Sequence, residues 1–385
     1  MFNFKKERRL KPMKRFLVLQ CLILFCMAGF AMAQESVTKE QANKAGGVTS
    51  IEDRLKKLEE SIGREVLGDK WYDRIQISGL IEVEAGYEKI DFEDPGEEDE
   101  KTSDVDLATV ELAVDAKIVD HVEGHVLFKY EEDDVFVDEG FIALTGTEAF
   151  PAYLIAGRQY IPFGNFDSHF VTDPTTLVLG ETNEGAVVAG YRFGGEMVDI
   201  SLGAFNGSAQ ETGDDDMIDS YVASVAVNPM EGLMFGASYT SNLAGSDSFN
   251  EVVDDPDNLD SLVGGWSAFV SYEFLERFKI IGEYVGALDE FEAGEIYDAA
   301  DGKRRQPAAW SVETGAAITE NIEVAARYGG SDDGGADFLP ETQYGAVVNW
   351  GIFENTNLAL EYLHGEFEDD AQKTDSIIAQ LAIEF

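Results

Sequence analysis

Side chains able to do covalent chemistry are scarce in this chain. Its 385 residues include four histidines (His121, His125, His169 and His364) and two cysteines (Cys21 and Cys26). His121 and His125 stand four apart, but in a turn-and-strand pattern, which does not build the helical metal pair that such spacing otherwise implies. No G-x-S-x-G, Walker A or H-E-x-x-H motif occurs. The expectation is a protein that is not an enzyme and needs no resident cofactor. What the sequence does offer is fixed charge at alternating positions. On that alternation the inward cations are Lys117, Lys129, Arg158, Arg192, Lys279 and Arg327. The inward acids are Glu82, Glu84, Glu111, Asp115, Glu123, Glu283, Glu313, Glu323 and Glu361. Opposed charges across a water-filled constriction orient a polar solute, and an excess of acids predicts preference for small cations.

A second feature is the run Gly157-Arg158-Gln159-Tyr160-Ile161-Pro162-Phe163-Gly164-Asn165-Phe166-Asp167-Ser168-His169-Phe170, followed by Asp173-Pro174 and Gly180-Glu181-Thr182. It is apolar and aromatic where the other long connections are acidic. A connection over 161–184 of this composition is expected to pack into a barrel mouth and narrow it, since long loops without their own structure are either functional or disordered. Arg158, Tyr160, Pro162, Phe163, Gly164, Asn165, Phe166, His169 and Glu181 are the candidate constriction residues.

The elements that must position these groups are strands. In the last stretch Asp375, Ile377, Ala379, Leu381, Ile383 and Phe385 alternate with Ser376, Ile378, Gln380, Ala382 and Glu384. Near the start Ile75, Ile77, Ile81, Val83, Ala85 and Tyr87 oppose Gln76, Ser78, Glu82 and Glu84. Period-two alternation with a greasy face nearly free of charge, and Tyr and Trp near strand ends, is the pattern of transmembrane barrels. A soluble sandwich would instead charge its outer face. Sixteen strands are expected, starting near 74, 106, 122, 135, 152, 185, 197, 219, 232, 264, 277, 308, 321, 342, 356 and 374. The strand at 135–144 is ambiguous because Asp138 and Glu139 place an acid on each face. Tight turns alternate with long acidic loops, as in an all-β, up-and-down antiparallel barrel over 74–385. A barrel of that size encloses an aqueous channel, and it is too small for a plugged 22-stranded transporter.

Before the barrel the chain changes character. A basic run precedes the apolar stretch Phe16 to Ala33, which closes on Ala31-Met32-Ala33, so 1–33 reads as a secretory signal peptide. Both cysteines fall inside it, which leaves no thiol or disulfide in the remainder. Residues 34–48 read as a polar linker. Over 49–68, Ile51, Leu55, Leu58, Ile62 and Val66 form a coiled-coil-like stripe, too short to be stable alone and therefore a surface for homo-oligomerisation or docking. The net charge of −47 repels nucleic acid. The acidic runs Asp91 to Asp104, Asp214 to Asp219 and Asp254 to Asp260 suit hard cations such as Ca²⁺ or Mg²⁺, although solvation alone accounts for them and no EF-hand spacing is present.

The run Gly157 to Phe166, together with Leu179-Gly180-Glu181-Thr182, resembles the LbtU-type siderophore porins of Gram-negative bacteria. The resemblance extends over signal, coiled segment and barrel. It implies an outer-membrane barrel, in contact with lipid and lipopolysaccharide, that admits an iron-siderophore complex without energy coupling; the even strand count separately leads to the expectation that both termini are periplasmic. The resemblance carries no binding residues over. The alternatives are a general or phosphate-type diffusion porin admitting a small polar solute, and a structural barrel tethering the envelope.

Overall fold

The computed structural model describes residues 74–92, 98–131, 134–213, 217–297, 302–368 and 371–385. The expected signal peptide, linker and coiled-coil-like helix lie outside them. The first half of the chain forms β1 (Ile75–Phe92), β2 (Glu100–Val119), β3 (Val122–Glu131), β4 (Asp134–Thr147), β5 (Phe150–Tyr160), β6 (Asn183–Phe193), β7 (Val198–Phe205) and β8 (Ser220–Met230). The second half forms β9 (Leu233–Thr240), β10 (Gly265–Phe274), β11 (Phe278–Ala287), β12 (Ala308–Thr319), β13 (Ile322–Asp332), β14 (Thr342–Phe353), β15 (Thr356–Glu366) and β16 (Gln372–Glu384). Every neighbouring pair is antiparallel, and β1 pairs with β16, so the sheet is a closed sixteen-stranded barrel. Closure leaves no row of unpaired backbone groups in lipid, where each would cost several kcal/mol.

Side-chain alternation sorts the wall as the sequence pattern requires. On β6, Ala186 and Val188 are buried inward while Gly185, Val187 and Ala189 are exposed outward. The outer face carries two aromatic girdles. Tyr221, Tyr239, Trp266, Tyr328, Tyr344 and Tyr362 mark the long-loop end, and Phe150, Phe193, Phe278, Trp350 and Phe353 the short-turn end. These amphipathic or flat rings sit where hydrocarbon gives way to head groups. No helix among the described residues is long and apolar enough to cross a membrane, a statement that does not bear on strands.

Two local departures from regularity matter. The β1–β2 register slips between Glu82 and Val83, which leaves Ala108 as the extra residue. The β3–β4 register slips in the same way: Leu127 pairs with Glu139 and Phe128 with Val137, so Asp138 is a bulge. This resolves the ambiguous strand. Val137 is exposed outward while Asp138 and Glu139 are both buried. A bulge lets two consecutive side chains share one face of a sheet.

The long connections differ from the acidic, water-exposed loops that composition implies. Leu243, Phe249, Leu259, Phe291, Ile296 and Leu339, from three of them, form one buried cluster with residues of the 161–182 connection. Two short helices, α1 (Thr175–Gly180) and α2 (Asp247–Asn250), lie within this cap. A handful of apolar residues in each loop is enough to bring them together, each fully buried side chain contributing ~1.5–3 kcal/mol. Strand β2 also begins at Glu100, ahead of the expected position near 106. Its first turns are polar on both faces, so alternation does not reveal them.

Candidate functional site

The connection between β5 and β6 runs inside the barrel. Gly164, at φ +77°, and Phe166, at φ +54°, turn it sharply away from the wall it left. A Cβ on Gly164 would lie 2.2 Å from the Phe166 ring, so the turn requires glycine on both counts. The turn aims two consecutive backbone N–H groups, of Asn165 and Phe166, at the Glu283 carboxylate on β11 (2.8 and 2.7 Å). Gly164 N–H donates to Ser238 Oγ on β9 at 2.8 Å. Further on, Ser168 Oγ and His169 N–H donate to Glu313 on β12 (2.9 and 2.7 Å). Val171 N–H, Thr172 N–H and Thr172 Oγ1 all donate to Glu361 on β15 (2.6, 3.1 and 2.5 Å). Three wall carboxylates thus satisfy backbone donors that an irregular buried segment would otherwise leave unpaired.

Arg327 on β13 completes the clamp. Its side chain is fully buried and bonds Glu313 Oε1 through Nε at 2.8 Å. Its Nη1 donates to Thr172 Oγ1 and to the Asp173 carbonyl, and its Nη2 to Ser168 Oγ and the Thr172 carbonyl. The guanidinium lies 4.3 Å from the Phe170 ring centroid. A planar five-donor fork is the one side chain that can engage this many acceptors at once. The tip, Phe170 and Val171, packs on Ala325, Val347, Ala359, Leu363 and Ile378 of the β13–β16 wall. His169 bonds Glu323 at 2.7 Å, receives Asn349 Nδ2 on its carbonyl at 2.9 Å, and lies where a Cβ on Gly315 would be only 2.4 Å away.

The return limb is held from the long-loop side. Ser246 Oγ donates to the Leu179 carbonyl and Asp247 N–H to the Glu181 carbonyl (2.7 and 2.8 Å). Burial pushes the Glu181 carboxyl well above the usual carboxylate range, and the neighbouring Asp173 and Asp247 charges push the same way. The two feet of the loop meet at the β4 bulge. Tyr160 Oη donates to Asp138 Oδ2 at 3.3 Å, and Asn183 Nδ2 donates to the Asp138 carbonyl at 3.0 Å.

Of the candidate constriction residues, Phe163, Asn165 and Phe166 are buried inside the barrel, while Pro162, Gly164, His169 and Glu181 are part-buried along the same path. Arg158 departs from expectation. It is exposed and in register with Gly140, on the outward side shared by Ile142, Leu144 and Leu154, with Nε directed to the Asp138 carbonyl at 3.3 Å. The candidate lumen charges divide into groups. Glu283 and Arg327 lie beneath the loop, and Lys279 bonds the loop residue Asp167 at 3.2 Å, so these serve its attachment. Glu82, Glu84, Glu111 and Lys129 gather on β1–β3 with Asp138 and Glu139 of β4. Arg192 pairs with Asp199 at 3.2 Å, and exposed Lys117 with Asp120 at the short-turn rim. Glu313 and Glu361 read from the sequence only as inward acids. Their role as anchors becomes visible once residues some 145 and 190 positions apart are brought together. Among the described residues no three His, Cys, Asp or Glu side chains converge as metal ligands.

No family model matches the chain. It is similar to a UPF0422 protein of Coxiella burnetii, 27% identical over 258 residues that make up 63% of this chain and 55% of that one. A UPF0422 protein of Legionella pneumophila (strain Lens) is 23% identical, covering 75% of this chain and 58% of that one. The chain therefore spans little more than half the length of the curated relatives it matches. Among solved structures it is similar to the outer-membrane channel DcaP of Acinetobacter baumannii, with TM-score 0.58, 15% identity, 83% of this chain and 100% of that one. An anion-selective porin of Comamonas acidovorans superposes with TM-score 0.57 at 11% identity over 81% of this chain and 99% of that one. At such identities the likeness concerns architecture alone, and the architecture is that of outer-membrane porins.

Proposed function

We propose that this barrel is a substrate-selective outer-membrane porin in which the loop 161–182 sets the bore, with the N-terminal end of the first strand and the C-terminal end of the last facing the periplasm. The observation that carries the reading is the attachment of that loop: three carboxylates and one arginine from the opposite wall are spent on holding an irregular segment across the lumen. A barrel that served only as a tether would have no use for it. With the loop on the β9–β15 side, passage runs along β1–β4. Acids predominate on that wall, so cations and neutral solutes are favoured over anions. The resemblance in the loop region supports a ferric siderophore as solute, and the wall charge narrows this to complexes that are neutral or cationic. A general diffusion porin shares the fold but has no preference within a size class.

Reconstitution in planar bilayers tests the reading. Discrete conductance with a cation-preferring reversal potential in a salt gradient is expected, and liposomes should take up a neutral ferric hydroxamate faster than an anionic catecholate complex. Absence of any conductance, including after the loop is released by Arg327→Met, overturns it.

A further inference from the structure

Among the inward carboxylates that take no part in holding the loop, one stands apart. Glu82 on β1 is 0% exposed, and neither of its oxygens has a hydrogen-bond partner among the described residues. Its neighbours are already engaged. Gln380 Nε2 donates to Glu84 at 3.0 Å, and Lys129 Nζ pairs with Glu131 at 3.3 Å. Glu111 presents one further oxygen without a partner. An ionised carboxylate left alone in such a place costs several kcal/mol, a cost relieved either by a proton or by an arriving cation.

Glu82 also lines a cavity of about 460 Å³. The tip of the inward loop, Ser168 to Val171, roofs the cavity, and Thr319, Glu320 and Asn321 of the β12–β13 turn place its mouth at the short-turn end. The charged side chains around it are Glu82, Glu320, Glu323 and Glu384, and no Lys or Arg contributes. His169 faces it too, bonded through Nδ1 to Glu323. Side-chain amides of Asn349, Asn357 and Gln380 add neutral acceptors. Acids spaced around a chamber, without the tight convergence a metal needs, match a ligand that brings several N–H donors on one positive centre. The apolar patch from Leu80, Phe170 and Ile322 accommodates a short hydrocarbon chain.

We propose that this chamber binds the ammonium group of a small primary amine entering from the short-turn end, with Glu82 as its charge partner. The inference rests on the porin reading only in requiring a water-filled route to the chamber. Titration calorimetry on the detergent-solubilised full chain, with n-butylammonium chloride as probe and n-butanol as neutral control, tests it without any need for conductance. Saturable heat is expected for butylammonium alone. Glu82→Gln is expected to weaken it about tenfold or more, the loss of one charge-assisted bond, while rim variant Glu384→Gln shifts it less than threefold. Heat-modifiable migration on gels verifies that the variants remain assembled. Equal affinity in Glu82→Gln overturns the proposal. So does the absence of saturable heat with the unaltered protein at millimolar probe, whatever the variants do. Failure of conductance with butylammonium binding intact would instead sink the porin reading and leave the chamber standing.

Discussion

Replacing Arg327 by methionine should release the inward loop. Methionine keeps most of the stem volume but removes every donor. Five hydrogen bonds are lost, to Glu313, to the side chains of Thr172 and Ser168, and to the carbonyls of Thr172 and Asp173. Stripping one partner from a buried ion pair costs ~3–5 kcal/mol, because the other charge stays behind. Glu313 retains the Ser168 hydroxyl and the His169 N–H, which favours the low end. About 3 kcal/mol shifts the balance between docked and undocked loop by roughly two orders of magnitude. Chymotrypsin reads this directly, since Phe163, Phe166 and Phe170 are buried only while the loop is docked. When opening is fast relative to cleavage, the rate follows the open population, so nicking between 163 and 170 should accelerate about a hundredfold. No Lys or Arg lies between 161 and 182, so trypsin serves as a control for general loosening. The double variant Glu313→Gln/Arg327→Gln, which removes both charges, should be less disturbed than the sum of its parts. An Arg327→Met barrel nicked at the parental rate would refute the clamp.

Other consequences follow from the same contacts. Phe170→Ala removes the ring beneath the guanidinium and should weaken docking by ~3–5 kcal/mol, seen as faster chymotryptic cleavage at the remaining Phe163 and Phe166. Gly315→Val places a side chain where the His169 ring lies, and should raise single-channel conductance by displacing the loop tip. Glu181 makes docking pH-dependent. Its folded-state affinity for protons is raised, so the docked form holds the proton more tightly than the undocked one. That stabilisation is complete below the ordinary carboxylate range and disappears as pH rises through the elevated value. Cleavage should therefore quicken from acid toward alkaline pH, and Glu181→Gln should flatten the profile.

The sequence made the wall legible and the clamp illegible, for a physical reason. Lipid on one side and water on the other impose period two on every strand, so strand starts such as 122, 308, 342 and 356 can be read locally. Where both faces meet water, as at the head of β2, the signal vanishes. The inward course of 161–182 shows in its composition, because aromatic residues in a long connection must be buried against something. Which wall carboxylates receive it depends on register across ten strands, and nothing near Glu313 or Glu361 in the chain distinguishes an anchor from a solvated acid. The loop cap was hidden differently: Leu243, Phe249 and Leu259 are isolated apolar residues in acidic surroundings, and their meaning emerges only when four loops meet.

The bulge at Asp138 has a consequence for how such a wall can change. Removing that residue would bring Val137 next to Glu139 with their orientations unaltered, one to lipid and one to the interior. A single-codon insertion here therefore adds an interior acid without turning over the rest of the strand or exposing charge to hydrocarbon. The residue so gained is the clasp that gathers Tyr160 and Asn183, the points where the loop leaves the wall and rejoins it. Barrels of this kind have a route to new interior machinery in which the outer, lipid-matched surface stays untouched at each step.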